Sequence, residues 1–194
     1  GPGVEVRISG RGAVLPNVPG DPALVVATPG AEPHAIGGYA AALLLDGDAL
    51  LARPGLRATE EAFRRWLRAA ALVRTGLAGG AVVVVAPAAA PAVQALVRWD
   101  PAGLAARELS DRATSGFPPV ARASELTGAT ADVTELLGLT DLPGEAQILG
   151  PVPARTEGHD QVILRSPRLA ASRLTAAVKA AQGIRAARRS GGPV

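Results

Sequence analysis

The chain has 194 residues, of which 48% are hydrophobic and 19% charged, and this balance predicts a folded protein of one or two domains. It contains no cysteine, which excludes disulfides and thiolate-bound metal, and no uninterrupted apolar run approaches the roughly 18 residues of a membrane-spanning helix. Aromatic residues are only 3%, so any contact with nucleic acid would depend mainly on charge. We expect a cytoplasmic protein without a membrane partner.

The basic residues are unevenly distributed along the chain, whose formal net charge is +3. From Gln161 to the C-terminus there are 7 basic residues and no acidic one, which leaves 13 of the 20 basic residues against all 17 acidic ones elsewhere. The pattern predicts a mildly acidic body and a basic C-terminal segment, whose field would attract phosphate or an acidic peptide.

The first half of the chain has the pattern of an α/β lobe. Apolar runs bounded by turn residues predict buried strands over residues 24–27, 39–45 and 81–86, and an alternating stretch predicts another strand over 4–8. Apolar residues at helical spacing predict an amphipathic helix over 59–74, with Glu60 and Glu61 in its first turn. This order of strands and helix predicts a parallel sheet.

The second half begins with two helices, predicted over 91–97 and from Pro101 to about residue 115, each with proline in its first turn. The stretch GFPPV at 116–120 breaks the helical pattern. Beyond it we predict strands over 121–126, 146–152 and 161–164, a helix over 130–137, and a long final helix. Ser166 is the predicted N-cap of that helix, and Pro167 is its first residue.

The final helix is predicted to bury one apolar face and to hold its basic residues mostly off that face; the apolar positions are Ala170, Leu174, Ala177, Val178, Ala181 and Ile184. The order β-α-β-β-α is that of a small α+β sandwich, which needs one more strand. Residues 191–194 are where that strand would begin, so we expect a truncated domain. The predicted fold class is α/β, with a parallel-sheet lobe over 1–86, connecting helices over 87–116 and the α+β domain over 117–194.

Three stretches, taken in chain order, carry a resemblance to a known family. They are RPGLRATEEAF at 53–63, APAVQALVRWDPAGLAARELSDRATSGFPPVAR at 90–122, and GPVPA at 150–154. In the longest stretch the match is carried by Gln94, Ala95, Leu96, Asp100, Glu108, Leu109, Arg112, Pro118 and Pro119. These stretches resemble the PriA family of replication-restart helicases, and the Ala- and Arg-rich composition is similar to that of its actinobacterial branch.

The resemblance implies a part-chain that contains the distal portion of the second RecA-like helicase lobe, followed by the family's C-terminal domain. It assigns ATP and zinc to the full-length family, whose zinc-binding cysteines precede this segment. We therefore expect no cofactor and no metal site in the segment itself.

Two helicase motifs of the family look degenerate. The stretch ALVVATPGAEP at 23–33 resembles the motif Gly-Thr-x-Met-x-x-Lys-Gly-His, in which Thr28 fits the threonine, but AEPH at 31–34 replaces the rest. The motif that supplies the arginine finger has only Arg74 nearby, about one position out of register. Loss of such an arginine typically lowers turnover by a factor of roughly 10³ or more. The resemblance implies that Thr28 and Arg74 are remnants of a nucleotide site; an ordinary strand-end turn is the alternative at Thr28.

The basic C-terminal segment is the main candidate for binding. Arg168 aligns with an arginine that follows a strand of the family, and the wider set of candidate contacts is Arg112, Arg122, Arg165, Arg173 and Lys179. The resemblance implies forked or single-stranded DNA, the acidic tail of single-stranded DNA-binding protein and other primosome proteins as partners. A solvated helix surface without a ligand is the alternative.

The sequence thus predicts a non-catalytic, DNA-fork and partner-binding portion of a replication-restart protein. Two other functions stay open. The chain could be part of an active ATP-dependent 3′–5′ DNA helicase whose active residues lie upstream, or a pure interaction module that docks the acidic tail.

Overall fold

The computed structural model describes residues 3–188, which fall into two compact units. Unit 1 is Gly1–Ala105 and unit 2 is Ala106–Val194, so the division falls inside a helix of residues Pro101–Ser115. The predicted α/β class is confirmed, because parallel strands with helices form unit 1 and an antiparallel sheet with helices forms unit 2. The assignment of unit 1 to a RecA-like lobe stays a prediction.

Within its described residues, 3–105, unit 1 contains three parallel pairs of strands. The first pair is β1 (Glu5–Ser9) with β3 (Ala23–Ala27). The second is β2 (Asn17–Val18) with β4 (His34–Ala35), and the third is β5 (Ala41–Leu44) with β6 (Ala81–Val84). The predicted parallel pairing is therefore confirmed, but the strands form separate two-stranded sheets where one parallel sheet was predicted.

The helices of unit 1 build its hydrophobic core. They are α1 (Gly47–Leu51), α2 (Ala58–Ala71), a 3₁₀ turn (Gly76–Ala78), α3 (Pro91–Arg98) and the start of α4 (Pro101–Ser115). Phe63 and Trp66 of α2 pack with Leu96 of α3 and Leu104 of α4, and Leu44 and Val84 of the third strand pair lie against this cluster. The segment predicted as a connector, 87–116, thus includes α3, which belongs to the core of unit 1.

The prediction that these strands are buried is wrong for one side of each sheet. In β3, Leu24 is 54% exposed and Val26 50%, and Leu43 and Val83 are likewise exposed. The reason is geometric, because successive side chains of a strand point to opposite faces of the sheet. Leu44 and Val84 face the core, so their neighbours Leu43 and Val83 face away from it.

Helix α2 ends at Ala71, three residues before the predicted end. Val73 forms an isolated parallel bridge with Tyr39, and the Arg74 amide donates to the Tyr39 carbonyl at 2.9 Å. This strand-like pairing takes residues 73 and 74 out of the helix, so Arg74 lies beyond it.

Unit 2 has the predicted order β-α-β-β-α. Its elements are β7 (Ala121–Ala129), α5 (Thr130–Leu139), β8 (Gln147–Pro153), β9 (His159–Pro167), a 3₁₀ turn (Arg168–Ala170) and α6 (Ala171–Arg188). The antiparallel sheet has the strand order β7-β9-β8. Leu126 and Leu164 of the sheet pack with Leu136 of α5 and Leu174 of α6. The additional strand predicted at 191–194 lies outside the described residues.

The predicted start of the last helix is wrong. Ser166 lies within β9, opposite Arg122 of β7, and α6 begins only at Ala171. Val162, Leu164 and Ser166 are buried at alternate positions of β9, as expected for one face of a strand. Continued pairing with β7 therefore outweighs the N-cap signal of Ser166 followed by Pro167.

Candidate nucleic-acid interface

The loop that follows β3 is closed by hydrogen bonds within the chain. The Thr28 amide donates to the Ser9 carbonyl at 3.0 Å, and the Thr28 carbonyl accepts from the Ala31 amide at 2.9 Å. The Gly30 amide donates to both carboxylate oxygens of Glu32, at 3.0 and 2.9 Å. Free backbone amides are what such loops offer to anions. The Gly30 amide is therefore already bonded to the Glu32 carboxylate.

Arg74 is exposed and held against a glycine turn. Its Nε donates to the carbonyl oxygens of Gly37 and Gly38, at 3.0 and 3.2 Å. Gly38 has φ +74°, and a Cβ there would lie 3.3 Å from the Arg74 Cγ, so glycine allows the close approach. These bonds hold the Arg74 side chain against the turn at Gly37 and Gly38. The assignment of Thr28 and Arg74 as remnants of a nucleotide site stays a prediction.

In unit 2, three of the candidate arginines converge on one turn, residues 115–119. Arg112 Nη1 donates to the Pro118 carbonyl at 3.4 Å, and Arg168 Nη1 donates to the Pro119 carbonyl at 3.2 Å. Arg165 Nη1 donates to the Ser115 carbonyl at 2.6 Å. We call these three residues, together with the neighbouring Arg122, the basic corner.

Arg165 and Arg112 are the structural members of the basic corner. The Arg165 guanidinium also donates through Nε to Gln147 Oε1 at 3.1 Å and lies 5.9 Å from the centre of the Phe117 ring. The Arg112 side chain is only 11% exposed and pairs with Glu108 at 3.6 Å. Their donor groups are therefore committed mainly to the protein itself.

Arg122 and Arg168 are the solvent-facing members. Arg122 lies opposite Ser166 at the start of β7, and Arg168 directly follows the last residue of β9, so both lie at the same end of the sheet. Among residues 3–188, no ion pair involves either side chain. Two cations that are 46 positions apart in sequence are thus brought to one exposed edge.

The candidate residues of α6 differ in what faces them. Arg173 Nη2 pairs with Glu145 Oε1 at 2.6 Å, and the hydrogen bond from Arg173 is the main reason that the pKa of Glu145 is lowered. Lys179 is exposed and forms no ion pair with any residue that the structure describes. Lys179 is therefore more available to a ligand than Arg173.

Arg185 corrects the expectation that the basic residues of this helix lie off its buried face. It is only 6% exposed, whereas Ile184, predicted to be on the apolar face, is 41% exposed. Arg185 Nη2 contacts Asp132 Oδ1 at 2.7 Å, and Arg185 Nε contacts Glu135 Oε2 at 3.0 Å. Sequence reasoning missed this contact; its only signal was the spacing of Asp132 and Glu135, which places both on one face of α5.

Within residues 3–188 no helix has both the length and the apolar character needed to cross a bilayer. The same residues contain no group of three His, Cys, Asp or Glu side chains that could hold a metal ion.

Comparison with known proteins identifies relatives over most of the chain. Residues 113–194 match the family model for the primosomal protein N C-terminal domain. The chain is 46% identical to the probable replication restart protein PriA of Mycobacterium leprae over 97% of its own length and 31% of that relative. It is 52% identical to the protein of the same name from Mycobacterium tuberculosis (strain H37Rv) over 78% of its length and 24% of the relative.

The chain therefore spans less than a third of the length of these curated relatives. The resemblance predicted from the three short stretches is confirmed. Residues 113–194 are similar to the primosomal protein N C-terminal domain, and over most of its length the chain is similar to a part of the replication restart protein PriA.

Proposed function

We propose that this chain is the DNA-fork and partner-binding portion of a replication restart protein and acts in the cytoplasm without efficient helicase or ATPase activity. The observation that carries the proposal is the exposure of Arg122 and Arg168 at one end of the unit 2 sheet without a carboxylate partner among residues 3–188. Exposed cations of this kind bind DNA phosphates by releasing counterions.

The geometry of Arg168 favours phosphate binding. Its Nη1 donates to the Pro119 carbonyl, which orients the guanidinium, and the residue as a whole is exposed. Arginine is suited to this role because its planar group can donate two parallel hydrogen bonds to one phosphate. Lys179 adds a second cationic element on α6.

The loop after β3 supports the proposed lack of efficient ATPase activity. The Glu32 carboxylate accepts from the Gly30 amide, so a nucleotide phosphate would have to displace an anion that is already part of the chain. Arg74 is likewise engaged by the carbonyl oxygens of Gly37 and Gly38. If the full-length protein nevertheless shows robust DNA-stimulated ATP hydrolysis, the alternative of an active helicase is correct.

A second candidate function is docking of the acidic tail of single-stranded DNA-binding protein, and a specific feature favours it. Leu169 is 96% exposed and directly follows Arg168, and Val120 is also exposed beside the arginine-anchored turn. Cations beside exposed apolar side chains suit a peptide that carries both acidic and apolar residues.

Fluorescence anisotropy of labelled forked DNA with the 194-residue chain tests the proposal. We expect log affinity to fall linearly with log salt, by about 0.9 per duplex phosphate contacted. A slope of zero, or no binding to forked or single-stranded DNA, contradicts DNA binding. If an acidic-tail peptide binds but DNA does not, the interaction-module alternative is correct.

A further inference from the structure

Unit 1 has a basic surface of its own, on and before helix α2. Residues 53–74 contain six arginines and only two acidic residues, Glu60 and Glu61. The rest of residues 3–105 contains three arginines and six acidic residues. The positive charge of unit 1 is thus concentrated on one helix and its flanking loops, and the remainder of the unit is acidic.

The helix geometry places part of this charge in one row. Arg64 and Arg68 are four residues apart and lie on one face of α2, and Arg57, which directly precedes the helix, lies seven residues (about two turns) before Arg64. All three are exposed. The opposite face holds the buried residues Ala62, Phe63 and Trp66, so the packing of α2 fixes the row toward solvent. We call these three residues the α2 arginine row.

Carboxylates neutralise only part of the row. Glu61 lies on the same face and pairs with Arg64, and the hydrogen bond from Arg64 is the main reason that the pKa of Glu61 is lowered. Among residues 3–188, no ion pair engages Arg57 or Arg68. The nearby Arg53 and Arg65 add to the surplus of positive charge.

We propose that the α2 arginine row binds the phosphate backbone of DNA, as a second contact separate from the basic corner. The row spans 11 residues, which is about 16 Å of helix at 1.5 Å per residue. A duplex carries about one negative charge per 1.7 Å, so a length of 16 Å presents about ten phosphate charges. Phosphates of a nucleic-acid backbone bind to exposed cations through counterion release, without any contact to the bases.

This inference rests on the proposed function, because it supposes that the chain binds DNA. Its test compares two double variants of the 194-residue chain, each of which removes two positive charges from unit 1. Arg57→Gln with Arg68→Gln shortens the row and leaves the Arg64–Glu61 pair intact. The control is Arg11→Gln with Arg98→Gln, since both of these arginines are exposed and lie outside residues 53–74.

The readout is the slope of log affinity for forked DNA against log salt, with circular dichroism melting to check that each variant is folded. We expect the α2 variant to reduce the magnitude of this slope by up to about 1.8 on duplex DNA, which corresponds to two lost phosphate contacts. The control should leave the slope unchanged. Equal slopes in the two variants, or a loss of binding to a polyglutamate peptide with DNA binding intact, would overturn the inference.

A third double variant, in the basic corner, distinguishes failure of this inference from failure of the proposed function. If Arg122→Gln with Arg168→Gln lowers the slope and the α2 variant does not, the inference is wrong and the proposed function stands. If only the α2 variant lowers the slope, the basic corner is not the DNA contact. If the unmodified chain binds no forked DNA, both are wrong.

Discussion

In unit 2, Arg185 lies inside the contact between α5 and α6, whereas Arg122 and Arg168 lie in solvent at the end of the β7–β9 pair. Arg185 is faced by Asp132 and Glu135, which belong to a helix about fifty residues earlier in the chain. The difference shows that the number of basic residues in a segment does not indicate which of them a ligand can reach. Tertiary packing pairs Arg185 and leaves the two corner arginines available.

The largest effect is expected at Arg185, whose ion pairs distinguish it from the exposed arginines of the basic corner. Arg185→Met keeps the side-chain volume but leaves Asp132 and Glu135 without the guanidinium at the α5–α6 contact. Because one partner of a largely buried ion pair is lost, we expect the free energy of unfolding to fall by about 3 kcal/mol. Urea unfolding followed by circular dichroism measures the change.

The matched control for Arg185 is Arg188→Met, three residues further along α6, where the side chain is exposed. An exposed position of this kind usually changes stability by less than about 0.5 kcal/mol. If both variants lose the same stability, the buried ion pair is not what distinguishes Arg185.

A smaller effect is expected at the turn that the basic corner anchors. Gly116 has φ +64°, and a Cβ there would lie 2.9 Å from Arg165 Nη1. Gly116→Ala should therefore lower the free energy of unfolding by about 1–2 kcal/mol, since the left-handed conformation disfavours a side chain. Gly138→Ala in α5 should be neutral or slightly stabilising, because a Cβ there would have no neighbour within 4 Å outside the adjoining helix backbone. The reverse order of these two urea midpoints would contradict the account of the turn.

The smallest effect is expected at the exposed pair of Glu145 and Arg173. The pKa of Glu145 is lowered below its usual 4.5 in the folded chain, chiefly by the hydrogen bond from Arg173. A lowered carboxyl pKa stabilises the fold above the unfolded pKa, and that contribution is lost as pH falls through the folded value. Glu145→Gln should therefore have a slightly lower melting temperature than the unmodified chain at pH 7, and the difference should shrink as the pH is lowered through the folded pKa of Glu145. A difference that grows at low pH would contradict the sign.

Much of the secondary structure could be predicted because its signals are local. Proline at the first position marks α3 and α4, and the Gly103 amide donates to the Asp100 side chain at 2.8 Å, as expected at a helix start. The order of elements in unit 2 followed from the change between strand and helix periodicity. Where a local signal conflicted with pairing across the sheet, as at Ser166, the tertiary contact decided the structure.

The candidate site was predicted as a set of basic residues and not as an arrangement. Arg112 and Arg165 anchor a turn through backbone carbonyls, which composition and spacing cannot indicate. Arg173 meets a glutamate 28 residues away, and the Glu32 contact with Gly30 depends on the loop conformation. These roles arise from long-range packing or backbone geometry, so the sequence alone could not separate the structural cations from the exposed ones.

The most direct test compares two pairs of arginines of unit 2. Arg122→Gln with Arg168→Gln removes the exposed cations of the basic corner. Arg155→Gln with Arg173→Gln removes two charges elsewhere, one in the β8–β9 hairpin and one already paired with Glu145. In salt titrations with forked DNA, the account predicts that the first variant lowers the slope by up to about 1.8 and the second leaves it nearly unchanged. Equal slopes for the two variants would contradict it.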